Sequence, residues 1–202
     1  LFCPAMVGLN LRDCSAFFKF SKGCATKLKT LEFRNCQHTF MRRFLKEHPN
    51  QLEEVSFRGG YTKVLECFAS LKRVNFVGCK RSDSVVDYCG RKKIEDLSVK
   101  FFDFDLGHAL NSLQFLKALT LTDCEMRASN FVAFLETNRS IVELHFLTVS
   151  FSDTVSGWAE VFAAVPLDRL QAFTIKSCSQ RHPPNKMFIV PLLQSHCLRS
   201  LT

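Results

Sequence analysis

Residues 28–36 read Leu28-Lys29-Thr30-Leu31-Glu32-Phe33-Arg34-Asn35-Cys36. Apolar side chains stand at the first, fourth and sixth places, and the fourth and sixth alternate with charged ones. An alternation of period two is the mark of a short strand with one buried face, which puts Leu31 and Phe33 inward and Glu32 and Arg34 on the opposite side. The pattern recurs along the chain, starting at Met6 (MVGLNLRDC), Leu52 (LEEVSFRGG), Leu71 (LKRVNFVGC), Ile94 (IEDLSVKFF), Leu116 (LKALTLTDC), Ile141 (IVELHFLTV), Leu170 (LQAFTIKSC) and Leu198 (LRSLT). Successive copies begin 22, 24, 19, 23, 22, 25, 29 and 28 residues apart, an average of 24. Cys14, Cys36, Cys79, Cys124 and Cys178 share the ninth place, and Gly60, Phe102 and Val149 replace cysteine in the remaining complete copies.

A single strand of this kind has nothing to bury its apolar face against, so copies at a fixed period must stack on one another and share a core. The segments between copies supply the other wall, with Phe40, Phe44 and Leu45 at helical spacing. Gly59-Gly60 and Gly78 follow their strands where the chain must turn sharply. The period and the pattern resemble the leucine-rich repeat, L-x-x-L-x-L-x-x-N/C-x-L, over essentially the whole chain. That resemblance implies an α/β fold, a right-handed solenoid with parallel strands on its concave face and helices or irregular turns on its convex face. Residues 1–202 are expected to form eight complete repeats and a ninth, from Leu198, that is cut short, as part of a longer chain. Strands are expected near residues 9, 31, 55, 74, 97, 119, 144 and 173. The segment from Ser179 to Pro184 is the expected insertion.

With 47% apolar residues the chain can build a core, and 21 Phe against one Trp and two Tyr suit an interior better than a wet surface. Its formal charge of +8 favours acidic partners. Ten cysteines without a Cys-x-x-Cys pair point away from zinc and redox motifs and towards reduced thiols, those at the ninth place forming a buried ladder with backbone carbonyls as partners. Cys24, Cys67, Cys89 and Cys197 fall late in their repeats, and His48-Pro49-Asn50-Gln51-Leu52 is similar to a Cys-Pro-Asn-Leu junction with His for Cys and an added Gln. These features resemble the cysteine-containing, ribonuclease-inhibitor-like subclass carried by F-box proteins, the substrate receptors of ubiquitin ligases. The resemblance implies a cytoplasmic or nuclear protein. No run of 18 apolar residues reads as a transmembrane helix, so no membrane partner is expected.

The short catalytic signatures are absent: no His-Glu-x-x-His, Gly-x-Gly-x-x-Gly, Walker loop or Gly-x-Ser-x-Gly occurs. The chain therefore reads as a binding protein and not an enzyme, with no cofactor and no metal site. Asp103 and Asp105 are too few for calcium and read as a turn. Asn138-Arg139-Ser140 is a glycosylation triplet expected to go unused.

Aligning the copies isolates the residues that face outward. The seventh place holds Arg12, Arg34, Arg58, Val77, Lys100, Thr122, Leu147 and Lys176; the fifth holds Asn10, Glu32, Ser56, Asn75, Ser98, Thr120, His145 and Thr174. Glu54, Arg73, Asp96 and Glu143 at the third place are candidates to pair with the Arg stripe. The residues expected to contact a partner are Arg12, Arg34, Arg58, Lys100, Glu32, Asn75 and His145. The expected partner is a protein with an acidic segment, and the family resemblance extends this to substrate recognition for a ubiquitin ligase. Nucleic acid or a polyphosphate on the basic stripe, and an immune-receptor or pathogen-effector role, stay open.

Overall fold

The computed structural model describes residues 6–14, 27–47, 52–59, 71–78, 93–100, 113–151, 157–176 and 197–201. Each copy of the motif forms one strand: β1 (Gly8–Arg12), β2 (Thr30–Arg34), β3 (Glu54–Arg58), β4 (Arg73–Val77), β5 (Asp96–Lys100), β6 (Ala118–Thr122), β8 (Glu143–Leu147), β10 (Ala172–Lys176) and the short β11 (Ser200–Leu201). They make one open nine-stranded sheet in chain order. All neighbours are parallel and in motif register, so that Leu9, Leu31, Val55, Val74, Leu97, Leu119, Leu144 and Phe173 line up as Cα partners. Among the described residues three helices, α1 (His38–Glu47), α2 (Ala128–Thr137) and α3 (Gly157–Ala164), complete an α/β, solenoid-like arrangement. Each strand begins one residue before its first inward side chain, because the outward residue there already joins the ladder.

The backbone explains why the register holds. At every step the two N–H groups that open a strand share one carbonyl of the preceding copy: Lys29 and Thr30 donate to Val7, Glu53 and Glu54 to Lys29, and so on to Arg199 and Ser200 on Gln171. At the other end, Asp13, Asn35, Gly59, Gly78, Asp123 and Thr148 all occupy the eighth place with positive φ, between 51° and 66°. Their N–H groups donate to the seventh-place carbonyl of the next strand at 2.7–3.0 Å. This left-handed residue ends the strand and turns the chain away without breaking the inter-strand ladder. The glycine turns expected from sequence are thus two cases of a column that Asp, Asn and one Thr also fill.

Inward side chains form a continuous apolar interior. Phe33, Phe57 and Phe76, Cα partners on adjacent strands, stack with ring centroids 5.9 and 5.7 Å apart. Further along, Phe146 meets Phe131, Trp158 and Phe173 edge-on at 5.5–6.0 Å. Phe40, Met41, Phe44 and Leu45 of α1 are buried, as are Phe131, Phe134 and Leu135 of α2. A second, two-stranded sheet, β7 (Glu125–Met126) with β9 (Ser150–Phe151), continues the parallel stacking beyond the turn.

Cys14, Cys36 and Cys124 are buried free thiols at the ninth place. Cys36 Sγ donates to Leu11 O at 3.2 Å and Cys124 Sγ to Val99 O at 3.6 Å, in each case the second inward residue of the preceding strand. Burial, with Cys36 alongside, raises the Cys14 thiol above its ordinary value, so it stays protonated as a donor. Cys79, Cys178, Cys24, Cys67 and Cys89 lie outside the described residues, as do Asp103, Asp105, the His48–Leu52 junction up to residue 51 and the 179–184 segment. Cys197 is free and exposed. No helix among the described residues is long and apolar enough to cross a membrane.

Candidate interaction face

Because the inward places and the backbone consume the core and the ladder bonds, the third, fifth and seventh places of β1–β6, β8 and β10 are left to face outward as three rows across the sheet. In the seventh-place row Arg12, Arg34 and Arg58 are consecutive Cα partners, all exposed. Arg12 lies 3.1 Å from Asp13, and Arg58 is ion-paired with Glu32. Arg34 has no ion pair among the described residues. Lys100, farther along the row, reaches Asp123 at 3.8 Å.

The pairing differs from the sequence expectation. Third-place carboxylates do not neutralise the Arg row: Glu54 pairs with Arg73 in its own row at 3.1 Å, and the partner of Arg58 is Glu32 of the fifth place. The side chains reach the neighbouring strand at the same place or two places along it, because the four residues from place three to place seven span about 13 Å. Glu32 also accepts from Asn10 Nδ2 at 2.8 Å, which fixes its carboxylate between two repeats.

Of the other expected contact residues, Asn75 sits mid-sheet with its Oδ1 buried and without a hydrogen-bond partner, as is Ser56 Oγ on the adjacent strand. His145 Nδ1 is 2.9 Å from Thr174 Oγ1, and its Nε2 is 3.9 Å from Glu143. All seven lie on the outward side of one sheet. Beside the first strands is a shallow depression of about 400 Å³, lined by Gly8, Asn10, Thr30, Glu32, Glu54 and Ser56.

Two features escaped the sequence reading. The second place carries Lys29, Glu53, Lys72, Glu95 and Lys117 in alternating sign, with Lys29–Glu53 at 3.0 Å and Lys117–Glu95 at 2.8 Å. Hydrogen bonds from these lysines hold the Glu53 and Glu95 carboxyls below their ordinary values. Strict alternation of sign in an aligned column was the available signal. The other feature is Asp96, half-buried at the third place, whose carboxyl is raised by burial; Arg73 and His145 pull it down, Glu143 and Glu54 push it up. Sequence alone gave no sign of that burial.

Asn138 is wholly buried, and its Nδ2 donates to Phe134 O at 3.0 Å and Thr137 Oγ1 at 3.1 Å, closing the end of α2. An amide in that position is inaccessible to glycosylation while the chain is folded. Among the described residues no group of three or more His, Cys, Asp or Glu is placed to hold a metal ion. What the face offers chemically is charge and hydrogen bonding over an extended surface. Compared with family models and with curated proteins, the chain matches none.

Proposed function

We propose that the chain is a leucine-rich-repeat solenoid that works as a protein-interaction scaffold, taking an acidic segment of its partner on the outward face of the sheet. The observation that carries this reading is the exposed row of Arg12, Arg34 and Arg58 on three adjacent strands in exact Cα register. At about 4.8 Å between neighbours, the row follows an extended acidic chain closely enough for successive carboxylates to be met in turn. The motif period, the in-register parallel sheet and the thiol-to-carbonyl ladder support the repeat family. Free buried thiols support a reducing compartment, cytoplasm or nucleus. Substrate recognition for a ubiquitin ligase is an extension that rests on resemblance alone. Nucleic acid fits less well, because Phe33, Phe57, Phe76, Phe146 and Phe173 are all buried and leave no stacking platform on the described part of the face.

The test uses the whole chain, a dye-labelled hexaglutamate peptide and a single-stranded oligonucleotide of equal charge, read by fluorescence anisotropy at low and moderate salt. Arg12→Ala, Arg34→Ala and Arg58→Ala together should weaken peptide binding about tenfold or more. Replacing Arg42, Arg43 and Lys46, exposed on α1, by Ala removes the same charge and should change it little. Equal losses in the two triple variants would assign the attraction to net charge and overturn the reading. Tighter, Arg-row-dependent binding of the oligonucleotide would move it to nucleic acid.

A further inference from the structure

We infer that the segment bound on this face is bipolar, with acidic residues over β1–β3 and a Lys or Arg seated between Asp96 and Glu143. This rests on the reading just proposed and deepens it by naming the partner's charge pattern. Charge of both signs is spread over the outward face. Its basic corner is the seventh place of the first three strands. At the opposite corner, third-place Asp96 and Glu143 flank Ala118, the Cα partner of both. The methyl of Ala118 leaves a slot about 10 Å wide, two strand spacings, between two carboxylates.

Among the described residues no Lys or Arg is ion-paired with either carboxylate. Arg73, on the strand next to Asp96, is held by Glu54 at 3.1 Å. His145 is turned to Thr174, and its other nitrogen stays 3.9 Å from Glu143. Asp96 makes no ion pair among the described residues. Burial raises its carboxyl, and Glu143 and Glu54 add to that against the pull of Arg73 and His145, so a cation entering the slot favours the ionised form as well as making a new contact. Arg73, shared with Glu54, and His145, 3.9 Å from Glu143, offset these two carboxylates only in part. Between the corners, Ser56 Oγ and Asn75 Oδ1 on adjacent strands lack partners, and modest rotation of either side chain offers it to the backbone of a bound segment.

The separation sets a spacing. From β2 to β6 is four strand steps, about 19 Å, and from place seven to place three is about 13 Å along a strand, giving a diagonal near 23 Å. At about 3.3 Å per extended residue, roughly seven residues separate the acidic cluster from the basic residue.

The experiment is selection from a random 16-residue peptide library displayed against the immobilised full chain, repeated on Asp96→Asn/Glu143→Gln and on Arg12→Ala/Arg34→Ala/Arg58→Ala, with circular dichroism to confirm that each variant is folded. Enriched peptides should carry acidic residues and a Lys or Arg roughly seven places away, always in one order. The Asp96/Glu143 variant should lose the basic preference and keep the acidic one, and the Arg variant the reverse. For a selected peptide, replacing its basic residue by Gln should cost about tenfold in affinity on the native chain and nothing on the Asp96/Glu143 variant. Enrichment of acidic residues alone, or of both signs without fixed spacing, overturns this inference and leaves the acidic-partner reading standing. Absence of acidic enrichment overturns both.

Discussion

Gly78 and Gly59 occupy the same turn position with nearly the same backbone, φ +64° and +66°, but in different surroundings. A Cβ at Gly78 would meet nothing within 4 Å, whereas one at Gly59 would lie 2.8 Å from Asn35 Oδ1. For Gly78→Ala the left-handed backbone costs about 1–2 kcal/mol. The lower entropy of the unfolded chain offsets about 0.4–1 kcal/mol of that, so the net loss is about 0–1.6 kcal/mol. Gly59→Ala carries the same terms and must also displace the Asn35 side chain, raising its cost by about 1 kcal/mol or more. In a domain of this size each kcal/mol moves the thermal midpoint by about 2–4 °C. Paired melts followed by circular dichroism should therefore rank Gly59→Ala below Gly78→Ala, and neither above the native chain. Asn35 is itself left-handed, so Asn35→Gly removes the obstructing oxygen without changing the backbone demand, and in that background the two alanines should cost the same. A stabilising Gly78→Ala would refute the left-handed column as a requirement of the fold. A difference that persists in Asn35→Gly would refute the steric assignment.

Thr148, β-branched at φ 61°, is the most strained residue of that column, and Thr148→Gly should raise stability by about 0.5–1 kcal/mol in urea denaturation; a destabilised variant would count against stored strain. A thiol reagent applied to native protein should label Cys197 and spare Cys14, Cys36 and Cys124 until the chain is unfolded, as mass mapping of the labelled peptides would record. Because the folded state raises the Asp96 carboxyl, that group stabilises folding only as pH falls through its folded value and is a net burden at neutral pH. Asp96→Asn should accordingly raise the melting midpoint at pH 7, with the difference vanishing near pH 3; a lower midpoint at pH 7 would show that the carboxylate is stabilised in the folded chain.

The strands were legible because a sheet with one buried face forces apolar residues to fixed offsets, and Leu31 with Phe33 or Leu119 with Leu121 cannot satisfy that demand in another register. The turn column was half legible. Gly59 and Gly78 are conspicuous, while Asp13, Asn35 and Asp123 adopt the same conformation with side chains that tolerate it and needed only to be aligned to be seen. Thr148 gave no signal, since the surrounding ladder bonds, not its own preference, hold it there. Helix α1 shows clear spacing in Phe40, Phe44 and Leu45, with Arg42, Arg43 and Lys46 on the opposite side. Helix α3, Gly157–Ala164, is too short and too apolar throughout for periodicity to distinguish it from a buried loop. On the outward face the sequence identified which residues share a row. It could not say which of them pair, because that depends on side-chain reach: Arg58 finds Glu32, a fifth-place residue one strand away, and Glu54 is taken by Arg73.

The same register also separates what the fold needs from what it leaves open. At the seventh place the carbonyl of each residue accepts from the turn of the preceding copy, Asn35 N to Arg58 O at 3.0 Å, Gly59 N to Val77 O at 2.9 Å and Asp123 N to Leu147 O at 2.8 Å. Arg, Val and Leu therefore fill one structural position with one backbone bond, and the side chain contributes nothing to that bond. Nor does the core require arginine there, since the inward neighbours Phe57, Phe76 and Phe146 are buried to the same degree beside all three. Surface ion pairs such as Arg12–Asp13 add at most about 1 kcal/mol, too little to explain three arginines in succession as a folding device. A charge that folding does not demand, repeated in one row and opposed at the far corner by Asp96 and Glu143, is what supports the proposed contact with a charged partner.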